Sequence, residues 1–227
     1  MENKLELFKQ LVAIFKTHGY QLFMVGGTVR DYLLKLPLTD MDVVTDATPE
    51  EMKQFLPDAS YTFAKFGSVS YKIDGVKFDI TTLREENVYI DSRHPQQIIF
   101  VKDLTIDVKR RDFTINALYM DEDLKVFDYV DGVKDLNNHL IRMIGNPDIR
   151  INEDPLRIIR ALRFSLDFDF DIEKSLSESI KKNFHLLANL NIEKVKQDIK
   201  KITCTDRKRI ETKFEEYNIK HYLDVVE

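Results

Sequence analysis

Apolar positions change their spacing several times along this chain, and each change marks an element. Leu5, Phe8, Leu11, Val12 and Phe15 recur at helical intervals in MENKLELFKQLVAIFKTHG and predict an amphipathic first helix. An apolar run at 20–25 predicts a strand, followed by a helix over 28–36, a strand near 41–45 and a helix over 50–56. In VSYKIDGVKFDITTL the period falls to two, giving strands at 68–74 and 76–83, and the intervening Asp74-Gly75 is a hairpin turn signal. Residues 84–104 combine many polar groups with little periodicity, which predicts a long mobile loop. Further strands fit 115–120, 125–130 and 140–144. From Asp154 the helical period returns, over 154–168, 171–187, 192–203 and 206–217. The predicted class is α+β: a mixed-sheet domain over 1–146 and an all-helical region over 147–227, divided near Gly145-Asn146-Pro147.

Composition narrows the picture. With 43% hydrophobic residues, 15 Phe and 9 Tyr, the 227-residue chain can bury a core and is not a disordered segment. A single cysteine, Cys204, excludes an internal disulfide and suits a reducing compartment. The first helix lacks the uncharged apolar centre of a signal peptide, and no run approaches membrane-spanning length. The expectation is a cytoplasmic protein with no membrane partner. A net charge of −5 argues against a nonspecific nucleic-acid coat. It leaves local basic patches at Lys109–Arg111, at Arg157, Arg160 and Arg163, and from Lys194 to Arg209, which as helix surfaces are ordinarily solvated.

The candidate chemistry starts in MVGGTVRDYLLKLPLTDMDVV. Side chains two apart on a strand share a face, so Asp40 and Asp42 project together with backbones about 7 Å apart. Carboxylates that close repel unless a cation lies between them, and Mg²⁺ accepts oxygen ligands while sharing its shell with phosphates. Asp79 lies opposite the apolar face of Val76, Phe78 and Ile80, where it is either a solvated strand residue or a third acid of a two-metal site. Gly26-Gly27 allows backbone N–H groups to approach an anion at the start of a helix.

These residues resemble a known family. Gly26-Gly27-x-x-Arg30-Asp31 followed by Asp40-x-Asp42 is similar to the signature of DNA polymerase β-type nucleotidyltransferases. KRRDFTINALY, YVDGVKDL and IRMIGNPDIRINEDPLRIIRALRF narrow the likeness to bacterial class II tRNA nucleotidyltransferases and their poly(A) polymerase relatives, over residues 20 to 165 with a weaker echo to 203. The resemblance implies a nucleotidyltransferase head followed by a helical neck. It gives Asp40 and Asp42 to the metals, with Asp79 standing where many relatives carry Glu. It further implies nucleotide contacts from Gly26, Gly27, Arg30, Arg111 and Asp112, the last through the ribose 2′-hydroxyl, with Asn116 supporting the site. Arg160 and Arg163 would face the triphosphate. The segment holding Arg84 and Asp91-Ser92-Arg93-His94-Pro95 matches a loop used in choosing between C and A.

Asn152-Glu153-Asp154-Pro155-Leu156-Arg157 has two readings. Asp154 is a helix cap that pairs locally with Arg157, or the two read a base. Cytosine and adenine both present an amino donor beside an unprotonated ring nitrogen. Ionised Asp only accepts and Arg only donates, so the pair fits C and A and mismatches G and U. The resemblance assigns that role to Asp154 and Arg157. The activity so implied is CCA addition to the 3′ end of tRNA from CTP and ATP with Mg²⁺. CC-only addition, A-only addition and poly(A) synthesis share the same chemistry. A non-catalytic nucleotide- or RNA-binding module is the reading from another class, and Asp40, Asp42 and Arg111 argue against it. Full-length relatives of this kind continue into further helical domains, so the chain is expected to be either naturally minimal or a fragment. A second copy of the chain is a further candidate partner, and Ile192, Val195, Ile199 and Ile202 predict an amphipathic helix near the end.

Overall fold

The computed structural model describes residues 2–89 and 95–224. Helix α1 (Glu2–Thr17) buries Leu7, Phe8, Leu11, Val12 and Phe15, as its helical spacing dictates. Strand β1 (Leu22–Val25), helix α2 (Gly27–Leu33) and strand β2 (Met41–Thr45) follow. Helix α3 (Pro49–Met52) is shorter than expected and opens on a capping box between Thr48 and Glu51. Strands β3 (Ser68–Ile73) and β4 (Val76–Thr82) form the expected hairpin, and Asp74 and Gly75 both hold positive φ (48° and 80°), as the tight turn requires.

The region expected to be a loop is built differently. β5 (Arg84–Tyr89) and β6 (Pro95–Phe100) pair as a separate two-stranded sheet, and α4 (Leu104–Asp107) follows. The strand sequences REENVY and PQQIIF do not alternate apolar with polar residues, so they give no period of two. Asp91, Ser92, Arg93 and His94 lie outside the described residues. β7 (Tyr119–Met120) and β8 (Val126–Phe127) are shorter than expected: a 3₁₀ turn over Thr114–Asn116 takes the start of the first, and Asp128 ends the second by collecting the N–H groups of Val130, Gly132 and Val133. The main sheet runs β3-β4-β2-β1-β7-β8, antiparallel except for the parallel β2–β4 pair. Its core face packs Met24, Met41, Val43, Phe78 and Ile80 with the apolar stripe of α1.

Helix α5 (Gly132–Asn137) leads to β9 (Leu140–Ile141), α6 (Pro147–Glu153) and α7 (Leu156–Phe168). The helix expected from Asp154 thus begins at Leu156, and α6 precedes it under an Asn146 cap. β10 (Asp171–Ile172) pairs in parallel with β9, so the helix expected over 171–187 is a strand, α8 (Lys174–Asn183) and a 3₁₀ turn over 184–189. The chain continues with α9 (Ile192–Ile199), α10 (Arg207–Glu216) and α11 (His221–Asp224).

Two compact units result. The first comprises Met1–Val88, Gln96–Arg111 and Ile115–Val133; the second takes Asp112–Thr114 and Lys134–Glu227 among its segments. Residues 134–146, grouped with the sheet domain from sequence, fall in the helical unit because β9 finds its partner in β10. Ile158, Ile159, Leu162, Leu176, Ile180, Val195 and Phe214 are buried there. Among the described residues, no helix is long and apolar enough to cross a membrane.

Candidate active site

Strand alternation puts two acids on one face. Met41 and Val43 of β2, and Phe78 and Ile80 of β4, belong to the core with α1. Asp42 and Asp79, in register across the parallel pair, therefore share the opposite face. Asp40 sits in a bend one residue before β2 begins and is exposed. Thr28 fixes this segment: its hydroxyl donates to the Asp40 carbonyl (3.2 Å) and accepts the Asp42 N–H (2.8 Å). Lys4 of α1 adds bonds to the carbonyls of Leu38 (2.5 Å) and Thr39 (2.8 Å).

The acids feel one another. Burial pushes the Asp42 carboxyl above its ordinary range, the charges of Asp79 and Asp40 push it further, and Arg111 and Arg30 pull it back. Asp79 pairs with Lys77 at 2.8 Å. Among the described residues, no three Asp, Glu, His or Cys groups gather tightly enough to form a ready-made metal cage. Asp42 and Asp79 thus share a sheet face, and the charges of Asp79 and Asp40 both act on Asp42. The donor set still fits a hard divalent cation, since all three ligands are carboxylate oxygens whose mutual repulsion a cation would relieve.

Gly26 caps α2 with φ 63° and ψ −128°, a conformation that only glycine adopts readily. It brings no side-chain cap to the helix. A Cβ at Gly26 would stand 3.7 Å from the Asn116 carbonyl and 3.9 Å from Arg111 Nη1, so the turn lies against both residues. Arg30 is buried and donates through Nη1 to Asn116 Oδ1 (2.5 Å) and through Nε and Nη2 to Asp31 Oδ1 (2.9 and 2.7 Å). Gly26, Gly27, Arg30, Arg111 and Asn116 are thereby brought together in the first unit.

The sequence reading missed Asp107. It is fully buried and bonds Arg110, Arg111, Tyr119 and the Arg84 N–H. Its three- and four-residue spacing to Arg110 and Arg111 was the available signal. Burial pushes its carboxyl up, but Arg111 and Arg110 outweigh that and hold it at about 2. The folded-state value lies below the ordinary 3.8, so this stabilisation is present above pH 4 and is lost as the pH falls toward 2. Urea titrations at pH 7 and pH 2.5 should differ by on the order of 2 kcal/mol through this residue, and Asp107→Asn should shrink the difference. An undiminished difference in the variant would place the acid sensitivity elsewhere.

Within the second unit, Arg160 Nη2 lies 2.5 Å from Asp112 Oδ2 as an ion pair. That buried oxygen has no partner in hydrogen-bond geometry among the described residues, while Oδ1 accepts the Phe113 N–H. Asp154 follows α6 as its C-terminal cap and Pro155 directly precedes α7; the Asp154 side chain still caps that first turn, its Oδ1 accepting the Leu156 N–H at 3.1 Å. Arg157 is buried and uses Nη1 to bond Glu153 (3.0 Å) and the Arg150 carbonyl. The sequence reading gave Glu153 no role. Arg163 lies over the Phe164 ring at 4.6 Å.

The mixed sheet with its glycine turn and paired aspartates defines a nucleotidyltransferase head of the polymerase β type. The chain belongs to the family described as poly A polymerase head domain, whose model matches residues 22–142. It is 43% identical to the CCA-adding enzyme of Ligilactobacillus salivarius over 198 residues, covering 86% of this chain and 49% of that protein. Against the CCA-adding enzyme of Staphylococcus saprophyticus the identity is 38% over 224 residues, 98% of this chain and 55% of that one. The chain therefore spans about half the length of the curated relatives it matches. The Bacillus stearothermophilus CCA-adding enzyme in complex with CTP superposes with a TM-score of 0.85 at 31% identity, covering 95% of this chain and 53% of that structure. The Thermotoga maritima CCA-adding enzyme complexed with tRNA gives 0.76 at 26% identity, over 97% and 52%.

Proposed function

We propose that this chain carries the catalytic and base-selecting parts of a template-independent RNA nucleotidyltransferase that adds C and A to the 3′ end of tRNA from CTP and ATP. The observation that supports this most is the registered Asp42–Asp79 pair on a sheet face, with Asp40 adjoining, within a fold shared with CCA-adding enzymes. Asp40 and Asp42, with Asp79 as the third carboxylate, would hold Mg²⁺, which when bound lowers the pKa of an attacking hydroxyl and offsets charge on leaving pyrophosphate.

The remaining roles fall to the chain's own groups. The Gly26 N–H is held by the Leu118 carbonyl (3.2 Å), so of the two glycines it is Gly27 that would offer its backbone N–H to the triphosphate, with the Arg111 guanidinium beside the turn. Arg30 and Asn116 brace that turn through their mutual bond. Asp112, whose Oδ2 is ion-paired with Arg160, would accept a hydrogen bond from a ribose 2′-hydroxyl. The family resemblance gives Arg160 and Arg163 to the triphosphate as positive charge; within its own unit Arg160 is ion-paired with Asp112. Asp154 and Arg157 present a fixed acceptor and a fixed donor to the edge of C or A. The RNA 3′-oxygen attacks the α-phosphorus, the bond to the β-phosphate oxygen breaks, and pyrophosphate leaves. The lone Cys204 fits a cytoplasmic setting.

Incubation of the chain with labelled CTP and ATP, Mg²⁺, and tRNAs ending before CCA, after C or after CC tests the reading. The expected result is completion of each tRNA to CCA followed by arrest. Extended A tails would identify a poly(A) polymerase, and arrest after CC or addition of A alone would identify a narrower enzyme. An absence of pyrophosphate release would leave a binding module.

A further inference from the structure

One buried carboxylate sets the direction of Arg111. Asp107 Oδ2 accepts from Arg111 Nε (3.0 Å), Arg111 Nη2 (2.8 Å) and the Tyr119 hydroxyl (2.8 Å). Its Oδ1 accepts from Arg110 Nε (2.8 Å) and from the Arg84 N–H (3.2 Å) where β5 begins, so the carboxylate cannot swing. The guanidinium of Arg111 also lies over the Tyr119 ring, 5.1 Å from its centroid, and Arg111 Nε contacts the Tyr119 oxygen at 3.1 Å. With Nε and Nη2 committed to Asp107, Nη1 is the nitrogen beside Gly26, 3.9 Å from where a Cβ would stand.

We propose that Asp107 is a positioning residue for nucleotide binding. It holds the Arg111 guanidinium in one orientation, with Nη1 directed at the glycine turn, before any nucleotide arrives. This rests on the reading of Arg111 as a nucleotide contact. An arginine side chain loses rotamer freedom when it is fixed, and an arginine already fixed by its own fold does not lose it again on binding. The two-pronged grip also selects Arg over Lys, since an ammonium cannot bond one carboxylate through two nitrogens and keep a third directed elsewhere.

Steady-state kinetics of the 227-residue chain with CTP and a tRNA lacking CCA test the assignment. Asp107→Asn should raise the KM for CTP by about 10- to 100-fold and change kcat by less than about 3-fold, the pattern of lost uniform binding. Arg111→Ala should raise KM at least as much, and adding Asp107→Asn to it should change KM by less than about 2-fold, because Asp107 acts through Arg111. A purely structural aspartate would instead give effects that multiply. Tyr119→Phe, which removes the hydroxyl that donates to Oδ2 and accepts from Arg111 Nε, keeps the measurement available if Asp107→Asn folds poorly; it should raise KM by about 3-fold and lower the melting temperature by a few degrees. Multiplying effects in the double variant, or an unchanged KM in both Asp107→Asn and Tyr119→Phe, would overturn the proposal. A wild-type chain that incorporates no nucleotide would sink the nucleotidyltransferase reading instead, before the variants are compared.

Discussion

Asp42→Asn will abolish nucleotide incorporation, lowering kcat/KM by about 10³-fold or more, and will leave the fold as stable as before or more so. The two halves of this expectation have one cause. In the folded chain the Asp42 carboxylate is disfavoured by burial and by the charges of Asp79 and Asp40, so its ionised form costs stability near neutrality. An amide of the same shape removes that cost, and with it the charge that would hold a divalent cation. The Asp42 N–H bond to Thr28 is a backbone contact and survives. Single-turnover incorporation and thermal melting on the same preparation measure both halves. Turnover within tenfold of wild type would refute the role in metal binding, and a lower melting temperature would refute the account of the repulsion.

Changes at Asp154 and Arg157 will alter which nucleotide is chosen more than how fast it is joined. A buried site whose donors and acceptors suit C and A leaves unpaired polar groups when G or U enters, a mismatch that can discriminate by roughly 10⁴-fold. Both side chains are held in place: Asp154 by the Leu156 N–H, Arg157 by Glu153 and the Arg150 carbonyl. Asp154→Ala removes the acceptor, and Arg157→Ala removes the donors and leaves Glu153 without one of its partners. Discrimination of CTP over UTP should fall to about 10²-fold or less in either variant, with kcat for CTP reduced far less than in Asp42→Asn. Competition assays with all four nucleotides read this directly. Unchanged selection would show that the base is read elsewhere.

Much of the head's layout was legible because its signals are local. Alternation in VKFDITT separates Phe78 and Ile80 from Asp79, and Asp74-Gly75 fixes the hairpin that carries them. The register that sets Asp42 beside Asp79 was not local, since it depends on a parallel crossover rather than on a turn. Asp107 was illegible for a related reason. In sequence it lies in DLTIDVKRR, a stretch given no element, and only burial turns its spacing to Arg110 and Arg111 into a grip. The β5–β6 ribbon escaped notice because REENVY and PQQIIF do not alternate apolar with polar residues. In the second unit, β9 and β10 are two residues each and lie on either side of two helices, too short and too far apart to be read from pattern.

The β2–β4 pairing has a temporal consequence. Asp42 and Asp79 become neighbours only when the chain between them, including α3 and β3, has closed into a parallel crossover, and such long-range closures are the slow steps of folding. A nascent molecule halted earlier holds every acidic residue of the site and none of its reactivity. The acidic pair is thus a product of the closed crossover and belongs to neither strand alone.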